Sequence, residues 1–174
     1  MKRLLVVVLF VALLLALALP SFAHHTDAPT TVILVRHGEK ATADPDTLLS
    51  DAGSARAKEL ARVLAGAGVT AIYTTQYQRT RLTAKPLADA LKLEPVVVSS
   101  GATFAKELAK RIREQNAGGV VVVVGHSNST ADLARELGAA NVPSIPETQF
   151  DDLFVVTLGE KVSFVPLRYG AATR

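Results

Sequence analysis

TTVILVRHGEK, Thr30 to Lys40, begins as a strand and ends in residues that a strand does not need. Val32 to Val35 is a short continuous apolar run, the pattern of a strand covered on both faces. It leads straight into Arg36, His37 and Gly38: a permanent cation, a titratable ring and a residue without a side chain. A second such run, VVVVVGHSN, carries Val120 to Val124 into Gly125, His126, Ser127 and Asn128. In an open parallel sheet, ligands bind beyond the carboxyl ends of the strands. Two histidines placed just past such ends therefore point to the same edge of the sheet.

Working outward, apolar runs alternate with amphipathic ones. The expected strands are Thr31–Arg36, Val69–Thr74, Pro95–Ser99 and Gly119–Gly125, all rich in Val and Ile or nearly continuously apolar. Between them lie helical patterns. In Ser50–Ala65 one face is marked by Ala57, Leu60, Ala61 and Leu64, at spacings of three and four, and Gly66-Ala67-Gly68 ends it. Arg79–Leu91, Thr103–Asn116 and the shorter Asn128–Leu137 repeat the pattern. Alternating strand and helix predicts an α/β fold, a three-layer α/β/α sandwich around a mostly parallel sheet. The end differs: Leu153–Leu158, Gly159-Glu160 and Lys161–Leu167 read as a carboxyl-terminal hairpin, which brings in one antiparallel strand.

The chain opens with Met1-Lys2-Arg3, then sixteen apolar residues from Leu4 to Leu19 and a small-residue end at Ser21-Phe22-Ala23. That order is the pattern of a secretory signal peptide over 1–23, cleaved after Ala23. A retained membrane anchor is the alternative, disfavoured because sixteen residues fall short of the ~20 a span needs. A polar lead, 24–30, then precedes a single domain, 31–174, and His24 and His25 in that lead read as solvated. Removing Lys2 and Arg3 lowers the formal charge from +3 to +1, so a basic partner-binding surface is not implied. There is no Lys/Arg cluster with interleaved aromatics, which argues against nucleic acid. The chain has no cysteine, so the expected exported domain, soluble and off the membrane after cleavage, holds together by its core. At roughly 150 residues it is long enough to do so.

The chemistry follows from the residues at the sheet edge. Arg36 offers planar, bidentate recognition of a phosphate or carboxylate. Gly38 would let backbone approach such an anion. Arg79 and Arg81 open the helix after the second strand, from where either can reach the same edge. His126 stands at a helix start, where free backbone N–H groups favour an anion. Asn128 is the expected helix cap, with a direct phosphate contact as the alternative. Glu39 reads as a buttress of the His37 loop or as a surface carboxylate.

Four stretches in order carry a resemblance. Arg36-His37-Gly38-Glu39, LLSDAGSARAKELA, IYTTQYQRTRLTA and VVVVVGHSN resemble the motifs of the histidine phosphatase superfamily, the phosphoglycerate-mutase-like fold. The likeness spans nearly all of the expected domain. It implies that His37 is a nucleophile forming a phosphohistidine, with Arg36, Arg79 and His126 around the phosphoryl oxygens; Gly38, Glu39 and Asn128, read from their own chemistry, are further candidates for the phosphate site. It also implies that the first and fourth strands are neighbours. A small phosphorylated substrate follows, with neither cofactor nor metal.

The match departs in two places. The family commonly takes its general acid from the stretch between the arginine motif and the second histidine, but here no carboxylate follows Glu94 until Glu107. Glu147, Asp151 and Asp152, near the loop containing Pro143 and Pro146, and Asp44 or Asp46 remain open as sources. The chain also lacks the long insertions of the mutases, which favours a small phosphatase. Two readings compete: a phosphate-binding module without turnover, and a metal-dependent hydrolase. The arginines would repel a metal, and no His-x-His or His-Glu-x-x-His spacing occurs. GHSNS does not match the Gly-x-Ser-x-Gly elbow of serine esterases. Neither the substrate's identity nor the oligomeric state is written in the sequence.

Overall fold

A computed structural model describes residues 28–173. The signal-peptide and His24/His25 readings lie outside them. Six strands and four helices follow in the order β1 (Thr30–Arg36), α1 (Asp51–Leu64), β2 (Val69–Thr74), α2 (Gln78–Leu91), β3 (Val96–Val97), α3 (Phe104–Gln115), β4 (Val120–Gly125), α4 (Ser127–Glu136), β5 (Asp152–Leu158) and β6 (Val162–Arg168). The sheet order is β3-β2-β4-β1-β5-β6. β1, β2, β3 and β4 run parallel, while β5 pairs antiparallel with both β1 and β6. The architecture is the expected α/β/α sandwich, and β5 is the strand that reverses.

The unbroken apolar runs of β1 and β4 are explained by two cores. Val32, Leu34, Val121 and Val123 meet Phe104, Leu108 and Ile112 of α3 and Leu133 of α4. Their alternates Ile33, Val35, Val122 and Val124 meet Leu60 and Leu64 of α1 and Ala84 and Leu87 of α2. Successive strand residues face opposite sides, so a strand covered on both has no polar position to spare. Pro95–Ser99 was expected to be covered likewise, but only Val96 and Val97 pair, and both are exposed. The stretch lies at the sheet edge, where β3 pairs with β2 alone, and Val98 just beyond β3 packs against the core on the α3 side.

The strand order places the two histidines. Arg36 is the register partner of Gly125, and the His37 N–H donates to the Gly125 carbonyl at 2.9 Å. The chain therefore leaves two adjacent strand ends side by side.

Helix α1 fastens the first of these exits. Ser50 caps it by accepting from the Gly53 N–H at 3.2 Å. A Cβ on Gly53 would lie 2.3 Å from the Glu39 carbonyl oxygen, and one on Gly38 would lie 2.8 Å from that of Gly53. The expectation that Gly38 makes room for an anion is thus corrected. It makes room for the first turn of α1, and its N–H is spent on Thr83 Oγ1 at 2.9 Å. Both clashes are with backbone, which cannot swing aside. Gly53→Ala should therefore destabilise the domain by about 2–3 kcal/mol, lowering Tm by roughly 5–10 °C in a thermal melt. A Tm within about 2 °C of wild type would show that the loop yields freely.

Candidate active site

Arg36, His37, Arg79 and His126 come together on one wall of a cleft of about 580 Å³, which Lys40, Tyr77, Ser100, Gly101, Phe104, Ser127, Asn128, Ser129 and Glu147 complete. Such a volume suits a small ligand. The imidazoles of His37 and His126 lie edge to face, their centroids 5.3 Å apart.

His37 is buried, 3% exposed, at the foot of the cleft. Its Nδ1 lies 2.7 Å from the Gly38 carbonyl oxygen. A carbonyl only accepts, so Nδ1 carries the proton and Nε2 keeps its lone pair. Burial first, and then His126, Arg36 and Arg79, push the His37 pKa down to about 3, against the hydrogen bond to Gly38 that favours the charged form. The ring is therefore neutral at any ordinary pH, with one nitrogen free to attack. His126 accepts at Nδ1 from Arg79 Nη2 at 3.3 Å, because a guanidinium can only donate. Its Nε2–H then donates to Thr75 Oγ1 at 3.1 Å. Burial, with Arg79 and Arg36 nearby, lowers its pKa to about 4.

The arginines are held differently. Arg36 is buried; Nη1 donates to the carbonyls of Pro146 and Gln149, both at 2.9 Å, and Nη2 donates to Glu147 Oε2 at 2.7 Å. Its guanidinium carbon stacks 4.1 Å from the Phe150 ring centroid. Arg79 donates to the Pro45 carbonyl and lies 4.3 Å over the Tyr77 ring. The Nε–H of each is buried and has no partner among the described residues. With Lys40, three cationic side chains face one carboxylate, that of Glu147.

Glu39 is absent from the cleft lining. Its carboxylate takes three hydrogen bonds from Arg56, at 3.1, 3.0 and 2.7 Å. Burial would raise its pKa, but Arg56 outweighs this and holds it below the usual carboxylate range. Arg56, itself buried, also donates to the Tyr169 and Ala171 carbonyls at 3.0 and 2.8 Å. It ties the carboxyl-terminal segment to the catalytic-loop candidate, so the buttress reading of Glu39 describes its place, not the phosphate-contact one. Sequence reasoning missed Arg56, although its place on the buried face, three after Gly53 and four before Leu60, was a signal.

Asn128 is corrected as a cap. His126 occupies that position and α4 starts at Ser127; the Ser129 Oγ accepts from the His126 N–H at 2.9 Å, while Asn128 Oδ1 accepts from the Ser129 N–H. Asn128 still lines the cleft. Among the carboxylates left open as acids, only Glu147 does. Asp151 is buried, accepting from Arg168 Nη1 at 2.9 Å and Thr173 Oγ1 at 2.6 Å. Asp46 accepts from the Gln78 N–H at 2.7 Å. Among the described residues, no three His, Asp or Glu side chains converge as a metal ligand set.

Residues 32–101 match the family model of the histidine phosphatase superfamily, branch 1. That segment holds most of β1, the Arg36-His37-Gly38 turn and Arg79, and the fold of the described domain is shared with solved structures of phosphatases. Among solved structures, a mycobacterial glucosyl-3-phosphoglycerate phosphatase is 18% identical, with 83% of this chain and 100% of that one covered at a TM-score of 0.63. A candidate phosphohistidine phosphatase, SixA, from Agrobacterium tumefaciens is 22% identical, with 81% and 97% covered at 0.62. The protein histidine phosphatase SixA complexed with tungstate is 19% identical, with 79% and 96% covered at 0.63. No curated protein matches the chain by sequence.

Proposed function

We propose that the protein is an exported phosphomonoesterase that works through a phosphohistidine on His37 and without a metal. One observation carries the reading: a neutral, buried imidazole with Nδ1 anchored on the Gly38 carbonyl and Nε2 keeping its lone pair, lining one cleft with two arginines. A nucleophile needs a lone pair more than a charge. Phosphoryl transfer needs positive charge on the equatorial oxygens, which Arg36 and Arg79 supply.

In the first half-reaction His37 Nε2 bonds to phosphorus, the bond to the ester oxygen breaks, and the alcohol leaves with a proton. In the second, water attacks the phosphohistidine and inorganic phosphate departs. Export rests on the amino-terminal pattern of 1–23. A small, polar phosphate ester fits the cleft's size and lining; the relatives' named substrates offer no finer choice.

The experiment is an acid or alkaline quench during turnover of a 32P-labelled phosphomonoester. A label stable in base and lost in acid is the expected result. A label with the opposite lability, or none under single-turnover conditions, would overturn the phosphohistidine. Activity abolished by EDTA and restored by a divalent cation would overturn the metal-free reading.

A further inference from the structure

The Glu147 carboxylate is where a phosphate would be expected. Oε2 accepts from Arg36 Nη2, and Oε1 accepts from the Ser127 hydroxyl at the first turn of α4. A guanidinium and a hydroxyl at a helix start are groups that bind phosphoryl oxygens. Yet the Glu147 side chain is 79% exposed, while Arg36, its partner, is 3% exposed. The arginine is fixed by two carbonyls and an aromatic ring; the glutamate reaches in from a loop and, among the described residues, its hydrogen bonds are those from Arg36 and Ser127.

We infer that Glu147 is an internal anion that the substrate's phosphoryl group displaces from Arg36 and Ser127, and that the displaced carboxyl is the general acid for the leaving oxygen. This rests on the phosphomonoesterase reading and deepens it. The two roles are linked by charge. Resting, Glu147 is held ionised, below the usual carboxylate range, first by the Ser127 hydrogen bond and then by Arg36 and Lys40, against its partial burial. An incoming phosphate dianion takes both partners and puts negative charge beside the carboxylate, so its proton affinity rises as the substrate arrives. The freed carboxylate takes a proton from solvent water and gives it to the ester oxygen as the P–O bond breaks and His37 Nε2 bonds to phosphorus. The carboxylate left behind takes a proton from the water that attacks the phosphohistidine, which returns neutral His37 and inorganic phosphate; as phosphate leaves, Glu147 releases that proton to solvent and returns ionised to Arg36 and Ser127. A carboxyl that lies against both the anion site and solvent is placed for this without a lid.

Two variants of the full mature protein test it, Glu147→Ala and Glu147→Gln, the second keeping the side chain's shape should the first disturb the loop. The probes are inorganic phosphate as competitive inhibitor, p-nitrophenyl phosphate as the ester with a good leaving group, and glycerol phosphate as the ester with a poor one. With no carboxylate to displace, Glu147→Ala should bind inorganic phosphate about fivefold more tightly. In both variants the ratio of kcat for glycerol phosphate to kcat for p-nitrophenyl phosphate should fall by about 10²- to 10³-fold, since an alkoxide leaves badly without a proton. Phosphate inhibition no tighter than wild type in Glu147→Ala, or a ratio unchanged in both variants, overturns the proposal. The wild-type phosphoenzyme trap is scored separately: a missing phosphohistidine sinks the underlying reading, whereas its presence with an unchanged ratio sinks only the role of Glu147.

Discussion

His37→Ala should lower kcat by about 10⁴-fold or more on any phosphomonoester turned over, because in the proposed mechanism loss of the covalent nucleophile leaves only binding and charge stabilisation. The same variant carries a second expectation, in stability. In the folded protein the ring has a pKa of about 3; in the unfolded chain it is near 6.5. Between those values the unfolded state binds the proton and the folded state does not. The stability this group contributes is therefore complete above about pH 6.5 and is lost as pH falls towards about 3. By pH 4 the loss is on the order of 3 kcal/mol. His126 acts in the same direction, down to about pH 4. Melting curves of wild type and His37→Ala at pH 7 and pH 4 check this. The variant should gain on wild type as the pH falls, and parallel losses would show that the ring does charge in the fold. Retained turnover would remove His37 from the mechanism.

Arg36→Lys should cost about 10²- to 10³-fold in kcat/KM, the usual range for removing one preorganised donor to a developing charge. The charge is kept and the geometry is lost. A lysine cannot donate at once to the carbonyls of Pro146 and Gln149 and to an anion while stacking on Phe150. Because those carbonyls set the position of the loop that bears Glu147, Tm should fall as well. Steady-state kinetics with p-nitrophenyl phosphate and a thermal melt measure both effects. A variant within threefold of wild type would mean that Arg36 serves the loop and not the substrate.

The contrast between Arg36 and its surroundings shows how far the residues could be read in one dimension. Its place at a strand end was legible because Val32–Val35 is apolar without a break, and the same was true of His126 after Val120–Val124. The carbonyls that orient it come from positions 146 and 149, more than a hundred residues away, in a loop with no periodicity. Gly38 shows the opposite case: its identity was noticed and its reason was misread. The space it leaves is filled by Gly53 of α1, and nothing in a tetrapeptide says which helix will press on it. Asn128 was expected to cap α4 because of its residue type, but the helix begins one residue earlier, and the Ser129 hydroxyl satisfies the His126 N–H instead.

Left to itself, the sequence determined the alternation of strands and helices, the two-sided burial of β1 and β4, and the residues that emerge at their carboxyl ends, because hydrophobic periodicity is local and each strand's pattern is set by its own neighbours. Spacing alone did not make β1 and β4 adjacent; that expectation came from the resemblance, and the sheet order fixes it. Tertiary structure alone decided which side chains meet the imidazoles and guanidinium groups: Thr75, Ser127 and Glu147 in the cleft, Arg56 and Glu39 behind it. Partners of that kind are chosen by distance and by the need to satisfy every buried donor, and neither quantity exists until the chain has closed on itself.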